Sequence, residues 1–278
     1  MMRDDFAVMI LSHGRAKEQK TRKTLLKCGY TGKIYIIIDD MDDQQEEYRK
    51  LYGAEIIVFN KRQQLGLFDT MCNADEWRSV VYARNACYEI AEGLGLKFFL
   101  MCDDDISDLK FRVVRDGKLG AYPVRQADRL LESIIALYEN TDVSIFGFSQ
   151  CGAYIGGANS KKYRDGCQRT CSQMMMIRTQ DKTPFNGIFN EDLHVAIESG
   201  LRGKIVLSTM LVSIASPVRE SNSGGLHDLY KANGSYTHCS YTVMAYPGIA
   251  KVSVVQESKL RLKHSAIAPE ILSGRWKK

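Results

Sequence analysis

The sequence has no apolar run close to the roughly 20 residues a membrane-spanning helix needs. Its opening Met1-Met2-Arg3-Asp4-Asp5, followed by a short apolar stretch, is not a secretory signal. The expectation is therefore no membrane association. No Cys-x-x-Cys pair occurs among the eight cysteines, and the nearest two, Cys167 and Cys171, have no histidine close by at a zinc spacing. They read as reduced thiols, and with the missing leader they point to a cytoplasmic protein. The phosphate-cradling loop G-x-x-x-x-G-K-[ST] is absent, as is G-x-G-x-x-G, which argues against kinase, ATPase and dinucleotide-binding chemistry. There is no internal repeat, no Pro/Ser-rich linker and no low-complexity tract, so residues 1–278 are expected to form one domain.

What is present suits a globular protein with a real core: 45% hydrophobic and 26% charged residues. The formal charge of +5 permits a polyanionic partner without requiring one. Basic residues collect at Lys17 to Lys27, Lys161-Lys162-Tyr163-Arg164, Lys259 to Lys263 and Arg275-Trp276-Lys277-Lys278. Each cluster taken singly reads as a solvated face; together they leave nucleic acid open.

Unbroken apolar runs at 6–11, 33–38, 55–59 and 98–102 read as buried strands. Helical patterns at 17–27, 44–51 and 77–92 separate them, and Gly93 and Gly95 close the last. This alternation predicts a parallel sheet flanked by helices. Further on, 111–114 and 118–122 read as a hairpin around Asp116-Gly117, 123–140 as a helix and 143–148 as a strand. The Gly/Ser/Asn-rich 151–166 reads as a loop, 173–178 as a strand and 191–200 as a helix. Strand-like segments follow at 205–208, 212–215, 236–246 and 252–255.

The chemistry gathers at strand ends. Three consecutive carboxylates, Asp103-Asp104-Asp105, follow Phe98-Phe99-Leu100-Met101-Cys102, and such crowding is costly unless a cation neutralises it. Ser12-His13-Gly14-Arg15 ends the first strand and Asp39-Asp40 the second. A parallel sheet brings these ends to one edge, where open α/β sheets bind ligands. Without a glycine-rich cradle, a divalent metal and cationic side chains would have to hold a phosphate-bearing substrate.

Ala83-Arg84-Asn85, then a helix, then the strand ending in Asp103-Asp104-Asp105, resembles the GT-A glycosyltransferases. In that family an Ala-Arg-Asn helix precedes a strand ending in Asp-x-Asp. Ile10 to Arg15, Ile38-Asp39-Asp40 and Asn190-Glu191-Asp192 are similar to its first turn, its nucleoside-receiving strand end and its Glu-Asp motif. The resemblance implies a GT-A (Rossmann-like) α/β fold, a mixed, mainly parallel sheet flanked by helices. Residues 1–105 would bind the nucleotide-sugar and 106–278 the acceptor. It implies Mn2+ or Mg2+ and a donor that is most simply a UDP-sugar. Asp105 would ligate the metal directly, and Asp103 would meet the ribose, the metal or its water, with Asp104 the ambiguous member. Asp39 would accept hydrogen bonds from base or ribose. Ser12, His13 and Arg15 would lie along the nucleotide, and Arg84 would meet the diphosphate or the acidic cluster. Asp192 or Glu191 would be the general base, carried by the loop Pro184-Phe185-Asn186-Gly187, with His194 in support. A C-terminal histidine would complete the metal site; His227, His238 and His264 are the options, and His264 suits a segment folding back over the donor.

A narrower match runs through Ser223-Gly224-Gly225-Leu226-His227-Asp228-Leu229-Tyr230, Tyr236, Met244-Ala245-Tyr246-Pro247 and Ala268-Pro269-Glu270-Ile271-Leu272. These resemble phage-encoded TET-associated glycosyltransferases, which are thought to glycosylate hydroxymethylated pyrimidines in DNA. The family's tail commonly pairs histidines where this chain has Lys263-His264. Hydroxymethylated DNA is then the expected acceptor, its base extruded from the duplex, in a phage-infected host's cytoplasm. Tyr154, Tyr163, Tyr236 and Tyr241 are candidates for stacking on it. Competing readings are a saccharide or protein acceptor, a sugar nucleotidyltransferase and a non-catalytic DNA-binding module. The oligomeric state stays open.

Overall fold

The computed structural model describes residues 2–72, 76–216, 227–256 and 260–266. Strands β1 (Phe6–Leu11), β2 (Lys33–Asp39), β3 (Ile56–Phe59) and β4 (Phe98–Asp103) are mutually parallel, side by side in the order β3-β2-β1-β4. Helices α1 (Lys20–Lys27), α2 (Gln45–Tyr52) and α3 (Val81–Gly93) connect them. Side chains alternate across the sheet as strand geometry demands. Phe6, Val8 and Ile10 join Leu25 of α1 and Tyr48 of α2 in one core, while Ala7, Met9 and Leu11 join Val81, Tyr82 and Tyr88 of α3 in the other. With both faces covered, these strands have no polar side, so each reads as an unbroken apolar run.

Beyond β4 the sheet becomes mixed. Its further elements are β5 (Asp108–Arg115), β6 (Lys118–Pro123), α4 (Ala127–Glu139), β7 (Val143–Gln150), α5 (Lys161–Asp165), β8 (Cys167–Gln168), β9 (Met174–Arg178), α6 (Glu191–Leu201) and β10 (Ile205–Ala215). The order continues β4-β9-β7-β10-β5-β6. β9 runs antiparallel to both β4 and β7, while β10 is parallel to β7. α4 closes the core that holds α1 and α2, and α6 the core that holds α3. The mixed sheet with helices on both faces agrees with the architecture expected from the sequence.

Some boundaries differ. α1 begins at Lys20 rather than 17, and α3 at Val81 rather than 77. The segments 205–208 and 212–215 form one strand, β10, with a register shift between Thr209 and Ser213 against β7; the bulge breaks the alternation that would have joined them. The 151–166 stretch holds short helical turns and α5 rather than an open loop.

The largest correction concerns 236–246, expected as a strand. Residues 236–245 lie instead within helix α7 (His227–Ala245), and Tyr246 follows its last turn. Its aromatic and β-branched residues favour a strand locally, yet Cys239, Thr242 and Tyr246 are buried at helical spacing. Docking against α6 overrides local preference, as tertiary burial commonly does. After α7, β11 (Ala250–Gln256) and β12 (Leu260–Ala266) make an antiparallel pair apart from the main sheet. No helix among the described residues is long and apolar enough to cross a membrane.

Candidate active site

The carboxyl ends of β1, β2 and β4 converge as parallel pairing requires, with Leu11 beside Asp103 and also beside Ile37. Backbone after β4 is held by α1: Thr21 donates its N–H to the Asp104 carbonyl (3.0 Å) and its hydroxyl to that of Asp103. The Thr21 hydroxyl also receives the Ile106 N–H at 2.9 Å. Two threonine bonds on consecutive peptides fix the turn that presents the acidic triplet.

Asp105 is half-buried, and Asp104 and Asp103 have different surroundings. Asp104 is buried, accepting from Ser12 Oγ at 2.6 Å and from the Arg15 guanidinium at 2.9 Å. Burial raises its pKa, and Arg15 opposes the rise. Gln19 donates to Ser12 Oγ (2.8 Å), and Tyr48 OH lies 2.7 Å from the same oxygen. Asp104, Ser12 and Arg15 are therefore tied into one another behind the triplet. Asp103 instead faces Arg84, whose guanidinium donates at 3.1 Å both to Asp103 Oδ1 and to Glu191 Oε1.

Arg84 is buried, its side chain 3% exposed. Burial alone would lower its pKa, but Asp103, Glu191 and Asp192 raise it overall, so it stays charged. Arg84 thus meets the acidic cluster, one of the two partners expected for it. Burial pushes the Asp103 carboxyl up to about 7 against the pull of Arg84, with Asp105, Glu191 and Asp104 adding to the rise. Glu191 is raised by burial as well. Converging oxygen donors whose mutual repulsion one guanidinium does not quench fit a hard divalent cation of the Mn2+ or Mg2+ class.

At the end of β2, Asp39 is buried and accepts from Lys61 Nζ at 3.0 Å, with His13 Nδ1 at 2.9 Å from the same oxygen. Burial pushes its carboxyl up, but His13 and Lys61 outweigh this and leave it below the ordinary carboxylate range. The hydrogen bond to Asp39 raises the His13 pKa. Asp42 accepts the Gly14 N–H at 2.8 Å, closing the β1 turn onto the loop after β2. Lys61 was missed in the sequence: a lysine just past a strand reads as surface, and only the fold buries it beside Asp39.

The Glu191–Asp192 pair opens α6. Asn85 explains the third letter of Ala83-Arg84-Asn85, since its amide donates to the Phe185 carbonyl (2.9 Å) and accepts the Phe185 N–H (3.0 Å). That two-point clasp ties α3 to the loop before α6. Gly187 sits in that loop at φ +83°, and a Cβ there would lie 2.8 Å from His194 Nδ1. Asn190, at φ +56°, donates to the His238 carbonyl (2.8 Å) and to Thr242 Oγ1 (2.9 Å). His194 is fully buried, with Nδ1 2.9 Å from the Asn186 carbonyl and Nε2 3.1 Å from Thr242 Oγ1. A carbonyl only accepts, so Nδ1 carries a proton; burial lowers the ring's pKa. Glu191 is engaged by Arg84, whereas Asp192 Oδ1 accepts the N–H of Leu193 at 2.8 Å.

His264 lies on β12 with its ring 4.8 Å from that of His238 on α7, and the Cys239 thiol is grouped with them. Among the described residues these are the one group of three such side chains whose ligand atoms lie within 4.8 Å of one another. The structure thus brings His264 to other donors than Asp103 and Asp105. The side chain of His227, residues 223–226 and residues 268–272 fall outside the description. Of the four tyrosines, Tyr236 is exposed; Tyr154 donates to the Met210 carbonyl (3.0 Å), Tyr163 to that of Arg112 (3.2 Å) and Tyr241 to that of Thr70 (2.9 Å).

A cavity of about 240 Å³ opens beside this edge, lined among others by Ser149, Gln150, Lys162, Thr170, Cys171 and Ser172. Cys171 contacts the Asp192 carbonyl (Sγ–O 3.5 Å), and the Gln173 carbonyl accepts the Asp103 N–H at 2.9 Å. Through Cys171 the cavity wall touches the backbone that carries Asp192.

The profile of the TET-associated glycosyltransferases matches residues 6–225, which take in every strand of the main sheet and both acidic motifs. The chain belongs to that family. It is a glycosyltransferase. No curated protein matches it in sequence. Solved structures with a similar course of chain include glucosyl-3-phosphoglycerate synthase from Mycobacterium tuberculosis in complex with Mn2+, UDP and phosphoglyceric acid (10% identity, 96% of this chain and 88% of that one, TM-score 0.46). Others are the mannosyltransferase PcManGT from Pyrobaculum calidifontis with GDP-Man and Mn2+ (11%, 87% and 65%, 0.49) and S. aureus TarS 1–349 with UDP-GlcNAc (14%, 86% and 66%, 0.46).

Proposed function

We propose that this TET-associated glycosyltransferase is a GT-A enzyme that transfers a sugar from a UDP-sugar to the hydroxyl of a 5-hydroxymethylpyrimidine in DNA. The observation that carries the reading is the Asp103–Arg84–Glu191 bridge, which joins the strand-end carboxylates to the Glu-Asp motif beside a cavity. Asp103 and Asp105 would hold a divalent ion, which would supply charge neutralisation for the departing diphosphate. Asp39 and His13 receive the nucleoside, and Arg15 and Ser12 hold Asp104 so that the triplet keeps its shape. Asp192 accepts the acceptor hydroxyl proton as that oxygen bonds to the anomeric carbon, whose bond to the diphosphate breaks with the electron pair leaving on phosphate. Arg84 holds Glu191 in position beside it.

The acceptor side follows from size and family. A base must leave the duplex for its hydroxymethyl group to reach the donor, and the cavity beside Asp192 is roomy enough for a flipped pyrimidine. Residues 1–105 then serve the donor and 106–278 the acceptor, in the cytoplasm of a phage-infected host. The reading is tested by offering purified protein, Mn2+ and UDP-sugars to duplexes carrying hydroxymethylcytosine, hydroxymethyluracil or neither. Transfer is expected only to the hydroxymethylated strands. Sugar delivered to a saccharide or protein and to no DNA would overturn the acceptor assignment.

A further inference from the structure

The group His238, Cys239 and His264 joins α7 to the hairpin that follows it, and its ligand atoms gather without a carboxylate among them. We propose that these three side chains bind a zinc-class divalent ion, a second metal site separate from the hard-cation site at Asp103 and Asp105.

The donor set decides the ion. Two imidazoles and a thiolate are borderline ligands that suit zinc and its neighbours, whereas Mg2+ and Mn2+ prefer all-oxygen sites. Three protein ligands leave one tetrahedral position for water. The ligand atoms lie within 4.8 Å of one another. Bonds of about 2.0 Å to nitrogen and 2.3 Å to sulfur put ligand atoms about 3.5 Å apart, so side-chain rotations of about 1 Å close the site. Cys239 is buried and its sulfur accepts the backbone N–H of His264. That bond aims the sulfur toward β12 and supports a thiolate once metal displaces the proton: Cys–SH and Zn2+ give (Cys–S–Zn)+ and H+.

The placement also gives the ion a purpose. Among the described residues β11 and β12 pair with each other and not with the main sheet, so the hairpin relies on packing against α7 for its stability. An ion ligated from both α7 and β12 would tie the hairpin to the helix that holds Asn190 and His194 through Thr242. The loop leading to Asp192 is thereby stiffened from behind.

The test uses the full chain. Metal content is measured after dialysis against a weak chelator, then cobalt is titrated into stripped protein and followed by absorption. One zinc per chain and a cobalt–thiolate charge-transfer band in the near ultraviolet are expected. Cys239→Ser should abolish the band, and His264→Gln should weaken binding by at least the 10–100-fold that even outer partners of a metal site cost. Asp105→Ala should change neither. Circular dichroism checks that each variant is folded, and His238→Gln serves as a further ligand variant if Cys239→Ser is not. Failure of stripped wild-type protein to bind zinc or cobalt, or binding equal in Cys239→Ser, His238→Gln and wild type, would overturn the site. Since these readouts need no sugar transfer, they stand apart from the acceptor assignment.

Discussion

Arg84→Ala removes the one guanidinium that holds Asp103 and Glu191 together. Both contacts are 3.1 Å, and the carboxylates they satisfy are 25% and 12% exposed, so little solvent replaces the lost charge. Breaking a buried pair from one side costs about 3–5 kcal/mol, because the partner charge is left uncompensated. For a chain of this length that lowers Tm by roughly 6–20 °C. The deficit should depend on pH. Asp103 titrates near 7 in the folded protein, above its ordinary 3.8, so the folded state holds its proton more tightly than the unfolded one. Stability is therefore lost as pH rises through that window. Without Arg84 the Asp103 pKa climbs further, so the variant falls furthest behind wild type above pH 7 and recovers toward pH 5. Added Mn2+ or Mg2+ should restore part of the deficit by supplying the missing positive charge. Arg84→Lys should fall between, since an ammonium lacks the fork that spans two carboxylates. Differential scanning fluorimetry across pH, with and without cation, reads all of this. A variant melting within about 1 °C of wild type at pH 8 would refute the bridge.

Gly187→Ala forces a left-handed backbone onto alanine and drives its Cβ against His194, so it should cost about 1–3 kcal/mol in urea unfolding; an unchanged midpoint would contradict the packing described. The His13 ring should titrate above 6.5 by NMR, and Asp39→Asn should bring it down. The stabilisation from that pair is complete below pH 6.5 and fades as pH rises through the folded His13 pKa; identical titrations in the two proteins would sink it.

Much of this site was legible because parallel sheets make a simple promise: polar residues closing separate strands end at one edge. His13, Asp39 and the Asp103–Asp105 triplet were found that way, and Arg84 and Glu191–Asp192 entered through resemblance. The residues that escaped depend on long-range burial. Lys61 becomes a site residue only because Asp39 lies beneath it, and Asn190 only because α7 lies against it. The helix at 227–245 hid behind residues that favour strands, since its periodicity is carried by Cys239, Thr242 and Tyr246 rather than by a run of aliphatics. His264 was assigned a partner by family custom, while the structure brings it to His238 and Cys239 through β12.

The central claim is that the acidic end of β4 drives sugar transfer to modified DNA, and intact-mass analysis of the acceptor tests it most directly. A duplex with a single 5-hydroxymethylcytosine is incubated with protein, UDP-sugar and Mn2+, beside Asp105→Ala and beside excess chelator. Wild type should give a one-sugar mass gain that disappears in both controls. A gain that persists undiminished in Asp105→Ala and in chelator would contradict the claim.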